Sequence, residues 1–224
     1  MAKKRYFVIV SHCLLNPSTR VHILGRRFCV AKLVCNYFLS KNISMIQLPC
    51  PEFTAMGYWR NPQGRQQYNN IFFRKHCRKE LSTYVDMVSE LKNNNNIPLC
   101  FIGIQGSPNC SINWGKHKVN KHKTESIVED EKSKKEDSVY GVMTEVLDNM
   151  LKERNISIPY FEAPVKEGLD SPITKKFFTQ LDDLLKIPPE CRFNDKKQVL
   201  IKIQRSENNA FRKCSWRSDF HKNK

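Results

Sequence analysis

Three apolar stretches of strand length each run straight into a cysteine, and this pairing limits what the chain can fold into. Residues 6–11 (YFVIVS) lead to Cys13. Residues 44–48 (SMIQL) lead to Cys50, in the tripeptide Cys50-Pro51-Glu52. Residues 98–104 (PLCFIGI) lead to Gly106-Ser107-Pro108-Asn109-Cys110. Short apolar runs bounded by turn residues read as buried strands. In an open parallel sheet, ligands bind outside the carboxyl ends of the strands. Three thiols far apart in sequence are therefore expected at one rim. Three thiolates with a fourth position left open are one way to hold an iron–sulfur cluster with an exposed iron, since four cysteines would close it. Taken singly, scattered cysteines read as buried thiols, because the spacing here matches no compact ligand motif.

Helical patterns alternate with these strands. Residues 27–40 are apolar on most sides and predict a well-covered helix. Residues 79–92 place Leu81, Tyr84, Val85, Val88 and Leu91 on one stripe. Residues 138–154 repeat Val139, Val142, Met143, Val146, Leu147, Met150 and Leu151 at helical spacing. A fourth strand is expected at 157–161. Ser171 caps a last helix with Pro172 at its first position. Strand and helix in alternation predict an α/β fold, a three-layer sandwich with a largely parallel, Rossmann-like sheet. The expected organisation is one domain over residues 1–187, interrupted by a charged loop at 116–137, and a basic extension over 188–224. A loop that long is usually functional or disordered, and it follows Cys110 directly.

Composition narrows the class. The 224 residues allow one substantial core. No apolar run reaches the ~20 residues of a membrane span. The apolar stretch behind the basic start, residues 6–10, is too short for a secretory leader, so a cytoplasmic protein is expected. Nine cysteines are an odd number without the spacing of a disulfide scaffold, which predicts free thiols or metal ligands. Cys29, Cys35 and Cys100 lie in apolar runs and read as small buried hydrophobes. Cys77 and Cys214 have basic neighbours, which can lower a thiol pKa, but the plainer reading of both is incidental. The net charge of +16 invites an anionic partner, with ten Lys/Arg against three Asp/Glu in residues 192–224. No helix-turn-helix or RNP-type motif accompanies it.

Residues between the cysteines carry further chemistry. Asn16-Pro17 turns the chain out of the first strand, and Arg20 beyond it suits an anion or a carbonyl. Glu52 is a carboxylate two residues from Cys50, placed to carry a proton. The 103–110 loop exposes backbone N–H groups that suit sulfides or anions. Ser107 within it is placed to reach a substrate heteroatom. Each also has a plainer reading: a solvated carboxylate, a surface charge, a turn serine.

Together, "SHCLLNPSTR", "PCPE" and "GIQGSPNC" resemble the motifs of the bacterial and archaeal thiouracil desulfidase family, whose members read close to SxCLLG-x-x-x-R, V-CPE and xGSPSCG. The likeness runs over residues 5–151. It implies a 4Fe–4S cluster on Cys13, Cys50 and Cys110, whose free iron takes sulfur from a thiocarbonyl compound. It also implies proton handling by Glu52 and substrate polarisation by Ser107, with Arg20 and Asn16 toward the substrate. Asn16 and Ser111 stand where the family pattern has glycine, and Gly57-Tyr58-Trp59-Arg60 replaces the usual stretch after CPE.

The expected activity is thus non-redox desulfidation of a small thiolated compound, needing no flavin or nicotinamide. The alternative is a non-enzymatic RNA-associated or sulfur-sensing protein, with Phe211, Trp216 and Phe220 of the basic tail stacking on bases. Zinc on the same thiols is a third reading, separable by colour. The oligomeric state is left open.

Overall fold

Phe7, Val8, Ile9 and Val10 are all buried, on both faces of their strand, and so they form the middle of a sheet. The computed structural model describes residues 5–21, 29–114, 139–165, 167–168 and 170–186. The charged segment 116–137, the extension 188–224 and Cys214 lie outside the described residues. The chain divides into two compact units, Met1–Phe177 and Phe178–Lys224, and the first carries the sheet.

The elements in order are β1 (Arg5–Val10), α1 (His12–Leu15), a 3-10 turn (Pro17–Thr19), α2 (Cys29–Leu39), β2 (Ser44–Gln47), α3 (Pro51–Met56) and α4 (Arg65–Tyr68). There follow α5 (Ile71–Asn93), β3 (Asn96–Ile104), α6 (Val142–Lys152), β4 (Tyr160–Ala163) and α7 (Pro172–Leu184). The four strands pair in the order β2-β1-β3-β4, every pair parallel. Helices cover both sides, as the α/β reading requires. With right-handed crossovers, the step from β1 out to β2 puts α2 on one face. The steps to β3 and β4 run the other way and put α5 and α6 together on the opposite face, where they pack. The chain reverses direction between β1 and β3. That gap is the switch point at which open α/β sheets bind ligands.

Several boundaries differ from the sequence expectation for identifiable reasons. Helix α5 begins at Ile71, two turns before residue 79, because Asn70 Oδ1 accepts from Phe73 N at 3.0 Å and starts it there. Its buried stripe continues back through Leu81, Cys77 and Phe73, hidden in the sequence among Arg74, Lys75, His76 and Arg78. Helix α6 begins at Val142 rather than 138, since Val139 is drawn into an antiparallel bridge with Trp114. Strand β4 lies at 160–163, not 157–161. Pro159 offers its carbonyl to Phe101 N at 3.0 Å but has no N–H for the ladder. Pro98 has the same handicap inside β3, where the β1–β3 register slips between Phe7 and Ile9. Ser171 caps α7 as read, its Oγ accepting from Thr174 N at 3.1 Å.

Candidate functional site

The register brings the cysteine loops to one end of the sheet. Val10 pairs with Gln47, so Cys13 and Cys50 each lie three residues past matched strand ends. Leu48 N donates to Val10 O at 2.9 Å and carries that alignment into the loops. Cys110 lies farther along its chain but is folded back, its carbonyl accepting from Ile104 N at 2.9 Å. Two glycines allow this return. A Cβ on Gly103 would come within 2.3 Å of Cys110 O, and one on Gly141 within 2.4 Å of the Asn109 carbonyl carbon. No other residue tolerates such approach. Asn109 O then accepts from Thr144 N at 3.0 Å, tying the loop to the start of α6.

The three thiols lie within electrostatic reach of one another. Burial pushes the Cys110 thiol well up, and the neighbouring charges of Cys13, Cys50 and Glu52 push it further. The nearby Ser11 side chain opposes the shift. Cys50 is pushed up to about 12, by burial first and Cys13 second. Cys13 is also raised by burial, against which the Arg20 guanidinium acts. Cys50, Cys110 and Glu52 are buried and Cys13 is half-buried beside them. Among the described residues, no three His, Cys, Asp or Glu side chains close around a single metal ion. Thiolates on separate irons of a cluster stand wider apart than ligands of one ion.

Arg20 sits beside this group, with Nη2 donating to the Cys13 carbonyl at 3.1 Å. Asn16 is exposed on the wall of a cleft. Ser107 lies beneath the Cys110 loop. Its Oγ accepts from Cys110 N at 3.0 Å and Asn109 N at 3.3 Å, which holds the turn in shape.

Glu52 is the most heavily tethered of the residues read from sequence. It is the second residue of α3, two after the Cys50 cap, and is 9% exposed. Oε1 accepts from Arg60 Nε at 2.7 Å, and Oε2 from Asn109 Nδ2 at 2.9 Å. Arg60 also donates to Thr19 O at 2.6 Å and Gly57 O at 2.9 Å. One buried guanidinium thus joins the Cys13 loop, the Cys50 loop and the segment after α3. Tyr68 is fully buried near Glu52, and burial first, then that charge, raises its pKa.

Arg60, Asn109 and Tyr68 were not read from the sequence as site residues. A signal existed for Arg60. A carboxylate in a buried loop demands a cation, and Arg60 is the first cation after Glu52. Asn109 and Tyr68 carried none. The basic neighbours of Cys77 do not set its pKa. The thiol is buried inside α5 and pushed up to about 12, chiefly by burial, with Arg74 opposing and Cys50 adding to the rise.

The fold is an open, parallel α/β sheet with a cysteine in the loop after each of β1, β2 and β3. The chain belongs to the family described as "Putative 2-thiouracil desulfurase", which matches residues 6–147. It is similar to the uncharacterized protein MJ0003 of Methanocaldococcus jannaschii, at 33% identity over 110 residues, 49% of this chain and 70% of that one. No solved structure matches it.

Among the described residues, no helix is long and apolar enough to cross a membrane.

Proposed function

We propose that the chain is a desulfidase that releases hydrosulfide from a small thiolated compound, a thionucleobase or thioamide. The site is a 4Fe–4S cluster on Cys13, Cys50 and Cys110. One observation supports this reading: three thiols from three strand-end loops lie within electrostatic reach of one another and of Glu52, in a chain of this family. The donor set suits the group. Three soft sulfurs favour iron–sulfur ligation. Beside Cys110, the buried Ser111 hydroxyl has no hydrogen-bond partner and is available to a sulfide.

When bound, such a cluster would supply an iron with one open position, a Lewis acid for a thiocarbonyl sulfur. The chain's own residues do the rest. The three thiols lose their protons as they become ligands. The reaction balances as hydrolysis: water supplies the carbonyl oxygen, and hydrosulfide and a proton leave. Glu52 takes the water proton on a carboxylate oxygen, while Arg60 and Asn109 fix its orientation. Ser107 uses its oxygen as an acceptor for two backbone N–H groups, so its hydroxyl proton is left for the substrate heteroatom. Arg20 anchors the carbonyl of Cys13, and Asn16 lies on the wall by which a substrate enters.

The test is anaerobic purification with iron and acid-labile sulfide analysis, followed by sulfide release from thiolated nucleobases and thioamides. Brown protein that releases sulfide from a thiocarbonyl compound is expected. Iron-free protein after anaerobic reconstitution, or a loaded protein inert toward the whole panel, overturns the proposal.

A further inference from the structure

A cleft of about 550 Å³ opens beside Cys50. Its walls include Asn16, Gln47, Phe53 and Tyr58. That volume suits a small organic ligand rather than an ion. The walls are unequal in chemistry. Tyr58 and Phe53 give an aromatic side, while Asn16 and Gln47 give a polar one. Gln47 donates its amide N–H to His12 O at 2.8 Å, which leaves its carbonyl oxygen as an acceptor.

The aromatic side is tied in through its backbone. Trp59 meets the Tyr58 ring edge-on, with centroids 5.1 Å apart and planes at 90°. Trp59 is itself 77% exposed, so this pair of rings stands at the surface end of the cleft wall. The segment that carries both rings is bracketed by bonds from one side chain, since Arg60 donates to Gly57 O as well as to Glu52. The Arg60 guanidinium also lies over the Phe53 ring, 5.6 Å from its centroid. The backbone on either side of the Tyr58–Trp59 pair is thus tied to the same buried ion pair as the carboxylate.

We propose that Tyr58, backed by Trp59, is the stacking wall of this cleft and selects flat, unsaturated heterocycles over saturated or open-chain thiocarbonyl compounds. This deepens the desulfidase reading and rests on it. An aromatic ring held rigid stacks on any planar base, worth ~1–3 kcal/mol per base by truncation. The Gln47 carbonyl oxygen accepts a ring N–H at the polar wall. Selection then comes from the flat π face on one side and the N–H edge on the other.

The experiment measures binding apart from turnover. Equilibrium dialysis of the full chain, as isolated anaerobically, uses 2-thiouracil and its saturated analogue 5,6-dihydro-2-thiouracil. The wild type should prefer the planar compound. Tyr58→Leu should weaken that compound by roughly 5- to 100-fold, the range that stacking energies imply. It should leave the dihydro compound little changed. Tyr58→Phe, which keeps the π face, should stay close to wild type. Trp59→Ala, a change at an exposed position, should weaken the planar compound several-fold and serves if Tyr58→Leu fails to fold.

Equal binding of both compounds by the wild type overturns the stacking wall, as does an unaffected planar affinity in Tyr58→Leu and Trp59→Ala. The two readings fail separately. Planar-selective binding without sulfide release leaves the wall standing and removes the desulfidase. Sulfide release from 2-thiouracil with unchanged KM in Tyr58→Leu does the reverse.

Discussion

Arg60 Nε stands 2.7 Å from Glu52 Oε1, and the same guanidinium reaches Thr19 O at 2.6 Å on the loop that follows Cys13. Both side chains are buried. This ion pair is the strut between two of the cysteine loops. Removing one partner leaves an uncompensated buried charge, which costs ~3–5 kcal/mol. Arg60→Met should lower stability by about that much, measured by urea unfolding of the metal-free protein. Paired with Glu52→Gln in a double-mutant cycle, it should show strong coupling. Additive effects of the two changes would mean that the pair bears no load.

The same strut complicates the obvious test of catalysis. Glu52→Gln removes a charge that Arg60 needs, so its activity must be read beside its melting temperature. Loss of acid–base help costs ~10²–10⁴ in rate. A Glu52→Gln variant that folds and keeps its iron yet loses sulfide release by that factor supports proton handling by Glu52. Unchanged turnover removes Glu52 from the chemistry.

Cys110 depends on two glycines. Gly103→Ala and Gly141→Ala should each push the Cys110 loop aside, because the added carbon meets backbone rather than a yielding side chain. Overpacking of this kind costs ~1–3 kcal/mol. Iron content after anaerobic reconstitution should fall in both, with near-native circular dichroism. Full iron retention would show that the loop has room to move.

Ser107→Ala should behave as more than a loss of one hydroxyl. Two backbone N–H groups, of Asn109 and Cys110, lose their acceptor. An unsatisfied buried donor costs ~1–3 kcal/mol. Reduced iron retention is expected along with reduced sulfide release. Loss of release alone, with iron and stability intact, would assign Ser107 to substrate rather than to the loop.

Cys100 supplies a pH test away from the site. Burial alone raises its thiol from 9.0 to about 12. Between those values the unfolded chain gives up the proton and the folded chain keeps it. Its stabilisation is therefore complete below about pH 9 and falls as pH rises through 12, at ~1.4 kcal/mol per pH unit. Cys100→Ala removes that slope. The stability gap between wild type and Cys100→Ala at pH 8 should narrow or reverse by pH 10.5. A gap independent of pH would place the thiol in contact with solvent.

The strands and their cysteines were legible because each signal is local. An unbroken apolar run such as residues 7–10 has few options besides a central strand, and the turn residues behind it mark where the strand stops. Helix α6 was legible from its stripe, and α7 from Ser171 and Pro172. The first two turns of α5 were not, because a stripe of Phe73 and Cys77 among four cations looks polar until Asn70 is seen capping it. Val139 was misplaced for the opposite reason. It fits a helical stripe, but its backbone pairs with Trp114 across a long stretch of sequence.

What the sequence determined by itself was the alternation of strand and helix and the presence of a thiol after each of three strands. Those follow from hydrophobic period and turn chemistry, which act over a few residues. Only the tertiary structure decided that the sheet runs β2-β1-β3-β4, which sets Cys13 and Cys110 on either side of the switch point. It alone made Arg60 and Asn109 the partners of Glu52 and Tyr58 a wall beside Cys50. The physical reason is that a buried charge takes whatever cation the fold brings within a few ångströms, and proximity across 57 residues, as between Glu52 and Asn109, leaves no trace in local pattern.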